Sequence, residues 1–362
     1  MTIALNQKYT FAFDSGDEPS IERLGGKCNS LAIMTAAGMP VPPGFAITTD
    51  AFEKAGGATG LRQRIKDILK DLDPHNVADV EERSAHIREL ILTQEVPTDV
   101  RDEVLLAYRA LMARCGGEVP VAVRSSATAE DLLDASFAGQ QDTYLWITGE
   151  AETMRKVREC WASLYTARAI TYRIQNGIPD EGLSMSVAIQ KMVNSRSSGV
   201  AMTLDPATGD RTKIVVESSW GLGEMVVSGE VTPDHFLLDK VMMTIIQRTV
   251  APKHEELVPD GQGGIVRREV DDDRRETPSL SDEEVLAVAR LAKAAEKHYG
   301  KPQDIEWAID ADLPDGDNVL LLQARPETVW APKSETNSVA VTAPGSGIAA
   351  ITKSMLASLG IR

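Results

Sequence analysis

Residues 304–327 read DIEWAIDADLPDGDNVLLLQARPE and predict two strands joined by a short acidic loop. Apolar and polar side chains alternate in the first strand, so Asp304 and Glu306 share the face opposite the apolar residues. Gln323 and Arg325 share a face of the second strand by the same alternation. An antiparallel hairpin would therefore bring two carboxylates next to an amide and a guanidinium.

This predicted cluster of charged side chains suggests a site for a metal and an anion. Burying such charges costs several kcal/mol per ion unless they are paired or bind a ligand. Carboxylate oxygens suit Mg²⁺ and a guanidinium suits phosphate, so a polyanion with a divalent cation would satisfy the set. The alternative is structural, an Arg–Glu ion pair across two surface strands, and the pattern alone leaves both interpretations open.

Three other long polar side chains stand beside glycine turns or at predicted strand ends. Lys27 follows two glycines, Arg124 ends the alternating strand VPVAVR, and Gln190 lies in the apolar strand SMSVAIQKMV. A glycine turn that enters a helix can also expose backbone N–H groups to an anion. Together with Arg325 these residues favour phosphoryl transfer, which depends on positioning and charge neutralisation more than on covalent chemistry by side chains.

Length and composition limit the classes of protein that remain. The chain has 362 residues, which predicts two to three lobes, and a formal net charge of -16, which argues against nucleic acid as the main partner. Residues 60–117 are predicted to form a helical insertion, and 333–362 a linker followed by a terminal helix.

Several common architectures are excluded by the same sequence. The three cysteines are widely spaced and lack CxxC pairs, so neither a disulfide framework nor a zinc site is predicted. No signal peptide or membrane span is recognisable, which predicts a cytoplasmic protein. No complete Walker or dinucleotide-binding glycine fingerprint is present either, so any nucleotide site must be built in another way.

Six ordered motifs resemble those of the nucleotide-binding domain of the phosphoenolpyruvate synthase and pyruvate phosphate dikinase family, which also opens rifampicin phosphotransferases. The resemblance runs from about Gly25 to Trp330. It implies an α/β, ATP-grasp-like fold with ATP and Mg²⁺ between an N-terminal lobe (1–190) and a C-terminal lobe (191–332). The motifs are GGKCNSLAIMTAAGMPVPPGFAIT (25–48), VAVRSSATAEDLLDASFAGQQDTYL (121–145), SGVAMTLDPATGD (198–210), ESSWGLGEMVVSGEVTPD (217–234), QDIEWAI (303–309) and LLQARPET (321–328).

The resemblance places the family's ATP contacts at eight positions of this sequence. Among them Lys27, Arg124 and Arg325 are expected to neutralise the phosphates, with the two arginines in a catalytic role. The eight positions are Lys27, Arg124, Gly139, Thr143, Gln190, Glu306, Gln323 and Arg325.

The remaining roles concern the metal, the closing loop and the base. Glu306 with Gln323 is expected to hold Mg²⁺, and Asp304 is a candidate further metal ligand. Gly139 has no Cβ, so its loop can close over the triphosphate. Gln190 is expected near the adenine, at the hinge between the lobes.

One element of the family's reaction is missing from the sequence. In this family ATP phosphorylates a histidine on a separate swivelling domain, which carries the phosphoryl group to the acceptor. None of the five histidines lies in a glycine-rich, threonine-containing carrier motif, and His235 in VTPDHF is predicted to be structural. The nucleotide-binding unit also takes up nearly all of the 362 residues.

These features lead to three hypotheses. The first is the ATP-binding subunit of a two-component phosphotransferase whose partner carries the phosphohistidine and the acceptor pocket. Its plan is similar to that of aryl phosphate synthases, which phosphorylate phenol or a cresol while ATP yields AMP and phosphate. The second is one domain of a full-length phosphoenolpyruvate synthase or rifampicin phosphotransferase, and the third is a non-catalytic nucleotide sensor.

Overall fold

A computed structural model describes residues 8–57, 60–128, 143–178, 182–328 and 330. The chain divides into two compact units, Met1–Val329 and Trp330–Arg362. The predicted linker and terminal helix at 333–362 lie outside the described residues, as does Gly139.

The first sheet has five strands, and each neighbouring pair in it is antiparallel. Its strands in chain order are β1 (Thr10–Ala12), β2 (Gly44–Ile47), β3 (Val121–Ala127), β4 (Thr143–Ile147) and β5 (Met185–Lys191). The spatial order is β1-β2-β5-β3-β4. The strand predicted to end at Arg124 therefore continues for three more residues, because Ser125, Ser126 and Ala127 pair with β5 instead of turning.

In the part of the chain that the structure describes, six helices lie beside this sheet, some in contact with its strands and the others packed on helices. Residues 60–117, predicted to be a helical insertion, do form helices, and the helical region begins earlier, at Thr49; that these helices are an insertion stays a prediction. Residues 150–175 form two helices, because the first helix ends at Ser163 and the Thr166 side chain starts the second by accepting a hydrogen bond from the Ala169 N–H at 3.3 Å. The helices are α2 (Thr49–Gly57), α3 (Leu61–Leu69), α4 (Val77–Thr93), α5 (Thr98–Arg114), α6 (Glu150–Ser163) and α7 (Ala167–Gln175).

The second sheet has six strands, in the order β13-β12-β6-β7-β8-β9. A separate hairpin, β10–β11, lies beside it. The strands are β6 (Ser195–Met202), β7 (Lys213–Trp220), β8 (Asp234–Asp239), β9 (Thr244–Thr249), β10 (Glu255–Pro259), β11 (Ile265–Glu269), β12 (Gln303–Asp310) and β13 (Val319–Pro326). The helices of this region are α8 (Glu224–Val227), α9 (Asp272–Arg275) and α10 (Asp282–Tyr299).

Helix α1 (Ile21–Ala36) contacts both sheets: it packs against β3 and β5 of the first and β13 of the second. Its Ser30 hydroxyl donates to the Ala324 carbonyl at 2.9 Å and lies 3.1 Å from the Tyr299 hydroxyl. Apolar residues of α1, α10 and one face of the second sheet form a common core. The other face of β12, which carries Asp304 and Glu306, is therefore left for polar chemistry.

The loop before α10 is more ordered than the sequence indicates. Residues 268–284 are rich in charged side chains, a composition typical of a surface loop, but they contain α9 and the buried Val270 and Ser279. Asp234 explains this order, because its carboxylate accepts hydrogen bonds from the Ser279 N–H and from the fully buried Lys253 ammonium. Ser281 and Glu284 form a capping box at the start of α10.

The predicted α/β fold class is confirmed, since helices and strands mix within one compact unit around two sheets. All strands of the first sheet precede residue 192, and all strands of the second follow it. The lobe boundaries at 1–190 and 191–332 stay a prediction. No helix among the described residues is both long and apolar enough to cross a membrane.

Candidate functional site

The hairpin formed by β12 and β13 places the predicted polar residues side by side. The predicted hairpin and its shared polar faces are present, and the register pairs Asp304 with Arg325 and Glu306 with Gln323. The register shifts after Glu306, so Leu322 is an extra residue in β13. This irregularity leaves the carbonyl of Leu322 available to a side chain from elsewhere.

Arg124 of β3 is that side chain, and it joins the two sheets. Its Nη2 donates to Gln323 Oε1 at 2.6 Å and to Glu306 Oε2 at 3.2 Å. Its Nη1 donates to the Leu322 carbonyl at 3.2 Å. The structure thus gathers Arg124, Glu306 and Gln323 into one site, although up to 199 residues separate them in sequence.

Lys27 approaches the same region from α1. Its ammonium donates to the Ser125 carbonyl at 3.3 Å, directly next to Arg124 in the chain. The helix kinks at Gly25, whose φ of 63° lies in the left-handed region. A Cβ on Gly25 would lie 2.2 Å from the Ser126 carbonyl oxygen, so only glycine allows α1 to come this close to β3.

Three predicted contacts lie further from this centre. Thr143 of β4 is half-buried and pairs in register with Arg124, so the two residues share a face of the first sheet. Gln190 is 3% exposed at the end of β5, and its amide donates to the Pro42 carbonyl at 3.2 Å. Arg325 is exposed, and within the described ranges it forms no ion pair.

The carboxylate of Asp304 is partly buried and incompletely hydrogen-bonded. Its Oδ1 is buried and has no hydrogen-bond partner among the described residues. Burial raises the pKa of Asp304 from 3.8 to about 6; the charge of Arg325 opposes this rise and that of Glu327 adds to it. An orphaned buried oxygen next to Glu306 is consistent with the metal role predicted for Asp304.

The variant Asp304→Asn is expected to stabilise the ligand-free protein at neutral pH. The folded state binds the Asp304 proton more tightly than the unfolded state, so stability is lost as pH rises from about 4 to about 6. At pH 7.5 the free energy of unfolding should rise by on the order of 2 kcal/mol in urea titrations, and this gain should shrink toward pH 4. Asp317→Asn, an exposed carboxylate of the same hairpin, is the control; an equal gain there would contradict the assignment.

Glu224 is a residue that the sequence does not single out, although the charges of two site residues act on its carboxyl group. It opens α8 and borders solvent, yet loss of hydration raises its pKa, the negative charge of Glu306 raises it further, and Arg124 opposes the rise. Glu224 is therefore close enough to sense both residues. The signal that could have revealed it is the glycine-flanked sequence WGLGE, where Gly221 has a φ of 72°.

Glu217 of β7 is aligned across the second sheet with Glu306. It pairs with Val200 of β6, which in turn pairs with Glu306 of β12. Cross-strand partners share a face, so Glu217 projects to the same side as Glu306. On its other side it pairs with His235, whose place inside β8 agrees with the structural role predicted for it.

These residues fit Mg²⁺ bound together with phosphates. Mg²⁺ is usually held by one or two carboxylates, with substrate phosphates and water completing its octahedron. Glu306, Gln323 and Asp304 offer oxygen atoms on one face of a single hairpin. The described residues contain no group of three or more His, Cys, Asp or Glu that could hold a metal alone, so the phosphates would have to contribute.

Comparison with known proteins shows which family this chain resembles in sequence. Residues 21–343 match the family described as "Pyruvate phosphate dikinase, AMP/ATP-binding domain". The chain is similar to the probable phosphoenolpyruvate synthase of Staphylothermus marinus, at 42% identity over 91% of this chain and 42% of that protein. It is also similar to the phosphoenolpyruvate synthase of Aeropyrum pernix, at 44% identity over 86% of this chain and 41% of that protein.

A further relative shows the same partial coverage. The probable phosphoenolpyruvate synthase of Methanothermobacter thermautotrophicus is 41% identical over 92% of this chain and 48% of its own length. The chain thus spans less than half the length of each of these curated relatives.

Proposed function

Since the chain belongs to the family of the pyruvate phosphate dikinase AMP/ATP-binding domain, we propose that it binds Mg·ATP between its two sheets and starts a phosphoenolpyruvate synthase reaction. The observation that carries this proposal is the convergence of Arg124, Glu306 and Gln323 from the two sheets within 3.2 Å. The guanidinium of Arg124 can bind phosphate oxygens in a bidentate manner, and the oxygen atoms of Glu306 and Gln323 beside it can bind Mg²⁺, so the arrangement suits Mg-triphosphate. We infer that the arrangement is ATP-grasp-like.

The proposed mechanism assigns each side chain an electrostatic role. Lys27 and Arg124 approach from the first sheet and α1, and Arg325 from β13, so the triphosphate would be neutralised from two sides. Glu306 and Gln323 would hold Mg²⁺, which when bound supplies further charge neutralisation. Closure of the two sheets over ATP would exclude water and limit wasteful hydrolysis.

The acceptor proposed here is pyruvate. The curated relatives are named phosphoenolpyruvate synthases and are more than twice as long as the matching region, which favours the second sequence hypothesis, one domain of a longer enzyme. None of the relatives described above is named an aryl phosphate synthase, so the phenolic acceptor and its separate partner subunit lack support. In either arrangement the phosphoryl group passes to a histidine on a domain that this chain's motifs do not include.

Calorimetry with the chain itself tests the proposal first. We expect Mg·ATP to bind with a dissociation constant in the micromolar range, within the span typical of enzyme substrates. Arg325→Ala should weaken binding and leave the melting temperature unchanged, because Arg325 is exposed. No detectable binding of Mg·ATP by the unaltered chain would overturn the proposal.

The second measurement identifies the acceptor. The chain is combined with the histidine-bearing and acceptor-binding parts of a phosphoenolpyruvate synthase, and products are followed by ³¹P NMR with pyruvate or phenol. We expect AMP, phosphate and phosphoenolpyruvate. A phosphorylated phenol would restore the aryl phosphate hypothesis, and ATP binding with no AMP–ATP exchange would favour the sensor.

A further inference from the structure

We propose that Arg124 occupies the oxygen atoms of the metal site in the nucleotide-free protein, so that free Mg²⁺ is kept out and metal enters only together with the nucleotide. This inference rests on the proposed function, because it concerns how the same site is loaded. Two of the oxygen atoms that this site offers to Mg²⁺, Glu306 Oε2 and Gln323 Oε1, each accept a hydrogen bond from Arg124 Nη2, whereas Asp304 Oδ1 lies outside these contacts. The guanidinium is thus an internal cation in the metal site.

The contacts of Arg124 explain why the guanidinium stays there without a ligand. Both terminal nitrogens are engaged, one by the two side-chain oxygens and the other by the Leu322 carbonyl. The Arg124 side chain is only 13% exposed and that of Glu306 22%, so solvent screens their attraction less than at a surface pair. The register shift in β13 leaves the Leu322 carbonyl as the third acceptor, and this contact fixes the orientation of the guanidinium.

Electrostatics makes this arrangement unfavourable for a metal ion alone. A divalent ion bound by Glu306 and Gln323 would lie within a few ångströms of the guanidinium, and the repulsion of two cations at that distance exceeds a typical weak binding energy. Moving Arg124 away without a new anion would leave a half-buried guanidinium unpaired, which is also costly. Free Mg²⁺ therefore meets an occupied site.

A bound triphosphate reduces both the repulsion between the metal and the guanidinium and the cost of moving Arg124 away from Glu306 and Gln323. Its oxygens offer the guanidinium bidentate acceptors, and they also provide the ligands that Glu306 and Gln323 cannot supply by themselves. Arg124 can then leave the protein oxygens for the phosphate as the metal takes its place. Arg124 therefore determines which form of the metal binds: Mg²⁺ that arrives with a nucleotide is accepted, and Mg²⁺ that arrives alone is not.

Manganese binding to the nucleotide-free chain tests the proposal, with electron paramagnetic resonance counting free Mn²⁺. For the unaltered chain we expect a dissociation constant weaker than about 1 mM, the range of weak carboxylate sites. For Arg124→Gln we expect Mn²⁺ affinity without nucleotide to rise at least about tenfold, because one nearby positive charge is removed. Affinity for the nonhydrolysable nucleotide AMPPNP with Mg²⁺ should fall in the same variant.

Arg325→Gln is the matched control. Arg325 lies on the same hairpin but has no contact with Glu306 or Gln323 among the described hydrogen bonds and ion pairs. It should lose nucleotide affinity and gain clearly less Mn²⁺ affinity than Arg124→Gln, because its charge acts on Asp304 and it does not contact the oxygen atoms of Glu306 and Gln323. Unchanged Mn²⁺ affinity in folded Arg124→Gln, or an equal gain in both variants, would overturn the proposal.

The unaltered chain keeps the proposal testable if Arg124→Gln does not fold. A dissociation constant for Mn²⁺ tighter than about 0.1 mM without nucleotide would show that Arg124 does not exclude the metal. Failure of this inference is distinct from failure of the proposed function. In the first case Mg·ATP still binds while free metal binds as well, and in the second the nucleotide does not bind at all.

Discussion

Glu306→Gln is expected to weaken the binding of Mg·ATP by roughly 100-fold, the upper range for altered metal sites. Glutamine keeps the shape of the side chain and an oxygen acceptor for Arg124, which lies 3.2 Å from Glu306 Oε2. It removes the negative charge, and the charge is what a hard divalent ion needs from a carboxylate. Calorimetry with Mg·ATP measures the change, and thermal melting checks that the variant folds.

The effect of Mg²⁺ on nucleotide affinity in Glu306→Gln shows whether Glu306 is a metal ligand or only a structural residue. In the unaltered chain Mg²⁺ should strengthen nucleotide binding strongly, whereas in Glu306→Gln added Mg²⁺ should change the dissociation constant less than about threefold. Glu255→Gln, an exposed carboxylate of β10, is the control and should behave like the unaltered chain. A Glu306→Gln variant that retains the full magnesium effect would remove Glu306 from the metal site.

The local part of the site could be predicted from the sequence because strand alternation is a short-range property. The shared faces of Asp304 with Glu306 and of Gln323 with Arg325 follow from a period of two within two adjacent strands, and the predicted hairpin is observed, although its register was not predicted. Arg124 was identified as a phosphate ligand, but its contact with the hairpin was not. Alternation within β3 does not indicate which distant strand a side chain will meet.

Other features depended on tertiary contacts that no local pattern contains. The extension of β3 beyond Arg124 occurs because Ser125 and Ser126 pair with β5, although serines after an arginine are typical of a turn. The extra residue at Leu322 follows from a register shift that neither strand shows alone. Glu224 was missed because its importance comes from its proximity to Glu306 and Arg124, not from its spacing.

Gly25→Ala is expected to lower the free energy of unfolding by roughly 2–4 kcal/mol and to weaken nucleotide binding at least about tenfold. The left-handed backbone at φ 63° strains any residue with a Cβ. The new methyl group would also lie 2.2 Å from the Ser126 carbonyl oxygen and 2.6 Å from its hydroxyl. Both atoms belong to a buried strand, so α1 must move instead, and Lys27 moves with it away from β3.

The control variant Gly38→Ala separates the cost of the steric clash with Ser126 from the cost of placing a Cβ on a backbone with positive φ. Gly38 follows the same helix with a φ of 74°, but no atom lies within 4 Å of the position of its Cβ. This control should therefore lose only about 1 kcal/mol, the cost of the left-handed conformation. Urea unfolding and Mg·ATP calorimetry of both variants measure the difference. Equal losses of stability, or unchanged nucleotide affinity in Gly25→Ala, would mean that the close approach of α1 to β3 does not position Lys27.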